Sequence, residues 1–390
     1  HYISLLSSLQ EGGFNELMRL LVETLRTHRA TLLIIDGAGA ARMLAESDFD
    51  YARFMHGLQA RTALLNCTMV LLAGEREADV AATHVDGLIQ LSNRPTHARD
   101  TRWLRVAKLR GSNYLNGQHR FAIGSNGITV FPRLESTQAQ MAPAWFDPQK
   151  RLPVGIPGLD TALGGGLQEG SSTLAVGTTG AGKTLLGLHF LAEGARRGEP
   201  GLIASFNETP RAVVSTADSA GMGLSPHVDS GLVQIMWHPP LELAPDEWAW
   251  QLLATIDEHQ PRRLVVDAIS DLLPLFAIPE RKSLFPPALV NRLRDRGVTT
   301  VFIVEVDAFV SPSLIVPVEN LSATMDNGIL LRTVEVRSSL RRMISILKQR
   351  QGAFDPTIRE LLVGSNGLTV GDPFDASGLM TGSSAPFSQR

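Results

Sequence analysis

Gly177-Thr178-Thr179-Gly180-Ala181-Gly182-Lys183-Thr184 fits the pattern Gly, four residues, Gly, Lys and a hydroxyl residue, which is the spacing of a phosphate-binding loop. Leu174-Ala175-Val176 before it reads as the end of a buried strand, and Leu185 to Leu191 after it reads as the opening of an apolar helix. In that context Gly177, Gly180 and Gly182 let backbone N–H groups turn inward on phosphate oxygens, and the helix N-terminus adds its dipole. Lys183 is expected to neutralise phosphate charge and the Thr184 hydroxyl to hold Mg²⁺. A Gly-rich strand-to-helix turn without a ligand is the bland alternative, and it leaves the Lys and Thr at those two positions unaccounted for. The chain is therefore expected to bind a nucleoside triphosphate.

Upstream and downstream of this loop the sequence repeats itself. Gly124-Ser125-Asn126-Gly127-Ile128-Thr129-Val130 recurs as Gly364-Ser365-Asn366-Gly367-Leu368-Thr369-Val370, an offset of 240 residues, and Lys108-Leu109-Arg110 recurs as Lys348-Gln349-Arg350 at the same offset. Leu33-Ile34-Ile35-Asp36 matches Leu264-Val265-Val266-Asp267 at an offset of 231. The agreement of several landmarks indicates duplication. Projected back by 231 residues, the counterparts of Lys183 and Glu208 fall before residue 1. The first copy is accordingly expected to be a truncated one without its phosphate loop, and a chain opening on His1 is expected to be a fragment cut upstream.

Within each copy the order is helices and strands first, then a meander. Phe14 to Thr27 reads as an amphipathic helix, Thr31 to Asp36 as a buried strand ending in an acid, Asp50 to Leu65 as a helix, and Met69 to Ala73 and Val85 to Leu91 as strands. Trp103 to Leu109 and His119 to Val130 alternate like antiparallel strands, turning at Gly124 to Gly127. The boundaries expected are 1–134 for the first copy, 135–150 for a linker, 151–372 for the complete copy and 373–390 for a flexible Ser-, Gly- and Pro-rich tail.

Composition narrows the class. The 390 residues, 44% hydrophobic and 19% charged, suit a globular protein with two cores. A net charge of −3 gives no overall attraction to nucleic acid or anionic membrane. The single cysteine, Cys67, reads as a buried strand residue, excludes an internal disulfide and fits a reducing cytoplasm. No apolar run reaches the length of a membrane span, since Val301 to Val310 is interrupted by Glu305 and Asp307. His189, His227 and His238 lack metal-ligand spacing and are expected in core or surface roles.

Four acids stand where chemistry could use them. Asp267 ends a strand, where an acid in a phosphate-loop protein binds Mg²⁺ opposite Thr184; an N-cap is the alternative. Asp36 occupies the matching place in the first copy. Glu208 follows the strand Gly201 to Ser205 and can polarise a water or hydroxyl for attack on the γ-phosphate; its bland reading is a first-turn Glu stabilised by the helix dipole. Glu305, also at a strand end, is a weaker sensor of the γ-phosphate, with Glu75 one place beyond its counterpart.

The run Arg151-Leu152-Pro153-Val154-Gly155-Ile156-Pro157-Gly158-Leu159-Asp160, Gly164 to Leu167, the phosphate loop and Phe206-Asn207-Glu208-Thr209-Pro210 together resemble the KaiC-like branch of the RecA superfamily. The resemblance implies an α/β fold of two tandem RecA-like domains, each a mostly parallel central sheet with helices on both faces, the first incomplete. It implies ATP and Mg²⁺ as ligands and a homo-oligomer, usually a hexameric ring, with ATP at subunit interfaces. Lys348 and Arg350, and Lys108 and Arg110, match basic residues that reach the γ-phosphate of the neighbouring subunit in that family, charge delivered in trans; solvated edge-strand charges are the alternative. Where the family commonly has two adjacent glutamates this chain has Asn207-Glu208, and of an acceptor Ser-Thr pair it retains Ser322, followed by Ala323. The favoured reading is a cytoplasmic ring ATPase in signalling or regulation, with a regulatory protein partner and serine autophosphorylation at Ser322. A RecA-like DNA-remodelling ATPase and an ATP-binding scaffold with little turnover are the rivals. Against the first stand the acidic balance and the lack of an aromatic and basic strip for single strands.

Overall fold

The computed structural model describes residues 2–3, 6–37, 42, 45, 47–74, 85–96, 99–140, 147, 149–240, 243–306, 321–336 and 339–374. Two compact units emerge, the first formed by 1–91 and 105–117 and the second by 92–104 and 118–390.

In the first unit, helix α1 (Leu6–Thr27), kinked at Gly13, packs on helix α2 (Asp48–Leu64). Ser47 caps α2 by accepting from the Asp50 N–H, and Asp48 and Asp50 complement the helix dipole. Leu17, Leu21, Tyr51, Phe54, Met55 and Leu58 form the small core, with the Phe14 and Phe54 rings stacked at 4.7 Å. Strand β1 (Leu32–Asp36) runs parallel to β2 (Thr68–Leu72). Cys67 is buried just ahead of β2 rather than inside it. The expectation of a fully buried strand at β1 is corrected: Leu32 is 53% and Ile34 58% exposed. Only one edge and one face of β1 are covered among the described residues, and the apolar side chains on the other face meet solvent.

The meander follows as β3 (Gly87–Thr96), β4 (Arg99–Leu109), β5 (His119–Gly124) and β6 (Gly127–Phe131), neighbours in that order in one sheet. The stretch expected as linker does not begin as one. Leu134–Gln140 is a 3-10 helix anchored on the second unit's own helices: Leu134 is fully buried, and Glu135 forms a bidentate pair with buried Arg281. Arg281 also grips Asp246, and a buried charge needs such partners to be tolerated. Residues 141–146 of that stretch lie outside the described residues, as does the tail beyond Phe374.

The second copy contains, in chain order, β7 (Arg151–Leu152), α3 (Pro157–Ala162), β8 (Leu167–Gln168), β9 (Ser172–Gly177), α4 (Lys183–Arg196), β10 (Gly201–Ser205), α5 (Pro210–Ser219), α6 (Ser225–Asp229), β11 (Val233–Trp237), α7 (Pro245–His259) and β12 (Arg263–Asp267). A 3-10 helix (Ile269–Leu275), α8 (Arg281–Arg294), β13 (Thr299–Glu305), α9 (Leu321–Thr324), β14 (Asn327–Val336), β15 (Ser339–Gln349), β16 (Arg359–Gly364) and β17 (Gly367–Pro373) complete it. Nine strands form one sheet in the order β11-β10-β12-β13-β9-β14-β15-β16-β17. The pairings from β11 to β14 are parallel and those from β14 to β17 antiparallel.

Alternation along the central strands sorts their side chains onto two faces. Ala175, Ile203, Val265 and Ile303 join Leu186, Phe190 and Val213 of α4 and α5 in one core cluster. Leu174, Val176, Leu202, Leu264, Val266 and Phe302 join Trp248, Phe285 and Leu289 of α7 and α8 in the other. Helices therefore cover both faces, as expected from the sequence.

The duplication is visible as geometry. Strands β3 to β6 match β14 to β17 at an offset of 240 residues, and β1 matches β12 at 231. In both copies the meander closes with the same bond, from the Arg110 N–H to the Asp86 carbonyl and from the Arg350 N–H to the Asp326 carbonyl, each 2.8 Å.

His189 of α4 is a core residue: its Nε2 accepts from the Leu368 N–H at 2.8 Å. Burial, reinforced by Arg196, holds its pKa down at about 4. The folded value lies below the unfolded one, so the unfolded chain takes the proton first and stability falls as pH drops from about 6.5 toward 4. The loss attributable to this ring is expected to be roughly 2–3 kcal/mol. Urea midpoints measured across that range should show a flatter acid limb in His189→Gln, whose amide oxygen still accepts from Leu368 without titrating.

Candidate active site

The C-terminal ends of β9, β10, β12 and β13 converge where the strand order turns, with β9 between β13 and β14, the usual position of a site in an open α/β sheet. Gly177 closes β9 so near its neighbour that a Cβ there would meet the Leu331 carbonyl oxygen at 2.3 Å. Gly180 (φ 75°) and Gly182 (φ 101°) adopt left-handed backbone, which lets the chain curl into a cradle. Gly182 is the N-cap of α4 and brings no side-chain acceptor, so the first helical N–H groups stay available.

Lys183 is 6% exposed and donates to the Thr178 carbonyl at 2.7 Å. Its ammonium lies 3.5 Å from Glu305. Burial lowers its pKa, and Glu305 counteracts that shift. Glu305 also accepts from the Thr179 hydroxyl. Thr184 Oγ1 donates to Asp267 Oδ2 at 2.7 Å. The Asp267 carboxyl is pushed up to about 6, chiefly by burial. A hydroxyl and a carboxylate held together at the mouth of a cradle of N–H groups are hard oxygen donors suited to Mg²⁺ carried in on phosphate. Thr178 Oγ1, inside the cradle, is shielded from solvent and has no protein partner.

Glu208 stands beyond the end of β10, tied to the neighbouring strand by the Phe206 N–H to Asp267 carbonyl bond of 3.1 Å. Ser205 Oγ donates to the Glu208 backbone carbonyl at 2.9 Å, while its carboxylate Oε2 is buried without a protein partner. The residues expected from the sequence at 177–184, 208 and 267 thus come together. Two were missed: Arg342 of β15, whose Nε donates to the Gly180 carbonyl at 2.8 Å, and Asp271, which accepts from Asn207 Nδ2 at 2.6 Å. Only the fold brings β15 to the loop.

Lys348 and Arg350 lie elsewhere. Leu331 is level with Gly177 in the β9–β14 pair, whereas Gln349 is level with Asn327 and Thr173. Arg350 is therefore roughly 15 Å along the strands from its own phosphate loop. It donates to the Ala323 carbonyl at 2.8 Å, and Lys348 donates to the Met325 carbonyl at 2.8 Å. Ser322 lies in the short α9, its side chain outside the described residues. Asp36 is exposed at the end of β1, Arg110 pairs with Asp86 at 3.5 Å, and Lys108 lies on β4. Glu75 falls outside the described residues. Among the described residues no group of three or more His, Cys, Asp or Glu has the form of a metal site, and no helix is long and apolar enough to cross a membrane.

A parallel sheet with a glycine cradle, buried lysine and facing Thr–Asp pair at its switch point defines a RecA-type phosphate-loop ATPase. A family model described as "ATPase: KaiC" matches residues 6–135 and again 152–374. The chain belongs to the KaiC family of ATPases, the model matching it in two stretches. It is 27% identical over 372 residues to the circadian clock oscillator protein KaiC of Rippkaea orientalis, covering 93% of this chain and 70% of that one. It is 26% identical over 372 residues to its namesake in Picosynechococcus, again 93% of this chain and 71% of the relative. The circadian clock protein KaiC2 of Synechocystis is 28% identical over 299 residues, 76% of this chain and 52% of that protein.

Proposed function

We propose that the second copy binds ATP with Mg²⁺ and hydrolyses it within a homo-oligomeric ring, in a signalling or regulatory role with a protein partner. The observation that carries this reading is the Thr184–Asp267 hydrogen bond of 2.7 Å beside the buried Lys183. Mg²⁺, when bound, supplies neutralisation of phosphate charge. The N–H groups of 178–183 cradle the phosphates, Lys183 leaves Thr178 and Glu305 for them, and Arg342 steadies the loop from the same chain. Glu208 takes the proton from the attacking water. Lys348 and Arg350, remote from their own loop, serve the nucleotide of the adjoining subunit, and a hexamer is the ring the family resemblance suggests. Lys108 and Arg110, with Asp36, play the corresponding parts for the first copy.

The described basic residues of β15 support this reading over a nucleic-acid one. Arg341 pairs with Glu360 at 3.3 Å and Arg342 is bound to Gly180, so neither is a free surface charge.

Glu208→Gln is expected to lower single-turnover ATP hydrolysis by about 100- to 1,000-fold with equilibrium binding intact. Parent-like hydrolysis would remove Glu208 as the base, and absence of hydrolysis in the parent despite tight binding would favour the scaffold. Autophosphorylation is the finer part of the proposal: slow addition of a single phosphate at Ser322 in ATP and Mg²⁺, absent in Ser322→Ala. Intact-mass measurement after prolonged incubation tests it, and no added mass in either the parent or Asn207→Glu sinks the kinase role alone.

A further inference from the structure

The pair Asn207–Asp271 is unexplained by the loop, the metal acids or the base. Asp271 is 64 residues from Asn207 in sequence, in the turn that leaves β12 just beyond Asp267, and its carboxylate oxygen accepts from the Asn207 amide at 2.6 Å. Its own N–H donates to the Ala268 carbonyl at 3.0 Å, which fixes the turn. From the other side of the same turn, Ser270 Oγ accepts from the Glu305 N–H at 3.4 Å. The ends of β10, β12 and β13 are thus laced together through residues 267–271.

Asn207 is exposed, and its side-chain amide is tethered by the hydrogen bond to Asp271. Its consequence falls on the next residue. Glu208 is held by a bond to its backbone carbonyl, and its carboxylate has a buried oxygen with no protein partner. An amide anchored at 207 restricts the backbone that leads into that carboxylate. Where the resemblance expects a second glutamate at 207, this chain has an amide that reaches a carboxylate supplied from another strand end.

We infer that Asp271 is a positioning residue for Glu208, acting through the side-chain amide of Asn207. This inference rests on the proposed role of Glu208 as hydrolytic base. Because an ill-aimed base misplaces the attacking water, the effect belongs on the chemical step and not on nucleotide affinity.

The test compares the parent with Asp271→Ala, Asp271→Asn, Asn207→Ala and the Asn207→Ala/Asp271→Ala double variant. Asp271→Ala is expected to lower the single-turnover rate about 10- to 100-fold at saturating ATP, with ATP affinity unchanged. Asp271→Asn, whose amide oxygen can still accept from Asn207, is expected to stay within about threefold of the parent. The double variant should be no slower than either alanine variant, since both break one link. In nucleotide-free protein, the NMR signal of the Asn207 side-chain amide, identified by its loss in Asn207→Ala, should be displaced from free-amide shifts in the parent and in Asp271→Asn. It should return to them in Asp271→Ala.

A parent-like rate in Asp271→Ala while Glu208→Gln is inactive overturns this inference alone. So does an Asp271→Asn variant as slow as Asp271→Ala, which would make charge the important property. A free-amide shift in the parent also overturns it. Parent-like hydrolysis in Glu208→Gln overturns both the base assignment and the inference built on it, and is thereby told apart from the other outcomes.

Discussion

Lys183→Ala is expected to weaken ATP binding by the second copy at least a hundredfold while leaving the fold intact. The lysine is the loop's only side-chain cation, and a hydrogen-bonded charge on phosphate contributes about 1.5–3 kcal/mol. Its removal also strips Glu305 of the partner 3.5 Å away, leaving an uncompensated carboxylate facing the incoming phosphates. In the absence of nucleotide the effect is small. Burial disfavours the lysine's charge while the bonds to Thr178 and Glu305 favour it, so these effects oppose one another and the thermal midpoint without ATP is expected to change little. Equilibrium titration with a fluorescent ATP analogue, alongside melting curves with and without ATP, separates the two. Parent-like affinity in a folded variant would remove the phosphate-loop assignment.

Arg350→Ala carries the second large effect. An arginine delivered to the transition state is worth about 10³–10⁵ in rate. Roughly 15 Å of strand separates Arg350 from its own loop, so that contribution has to reach a neighbour's nucleotide. Rings of Arg350→Ala alone should bind ATP and hydrolyse it at least a thousandfold more slowly. Mixed with an equal amount of Lys183→Ala, they should recover, because about a quarter of random head-to-tail interfaces then join an intact loop to an intact arginine. Arg350 also holds the Ala323 carbonyl and pairs with Asp326 at 3.4 Å, so a purely local role in bracing that segment has to be told apart. Recovery on mixing does so: a local defect stays with its own subunit and is not complemented. Intact mixed rings without recovery would assign the arginine to its own chain's structure.

What the sequence determined by itself was local or periodic. The phosphate loop was legible because its chemistry requires fixed residue types at fixed spacing, with a β-strand before it and a helix after it. The two copies were legible because a duplicated meander keeps its offset, and all of its strands in the fold obey it. The half-exposed β1 was not, since Leu32 and Ile34 read as core whichever neighbours cover them. Nor was the helix at Leu134–Gln140, whose order comes from Arg281 and Asp246 more than a hundred residues away. The same holds for the contacts that finish the site: Asn207 with Asp271, Thr179 with Glu305, and Arg342 with Gly180. They join residues 64, 126 and 162 positions apart. Strand order and register decide which side chains share an end of the sheet, and those depend on the packing of every strand and helix together rather than on any one stretch. For the same reason Lys348 and Arg350, plain in the sequence as basic residues, acquired a direction only in the fold: away from their own loop, at the sheet end where β14 begins.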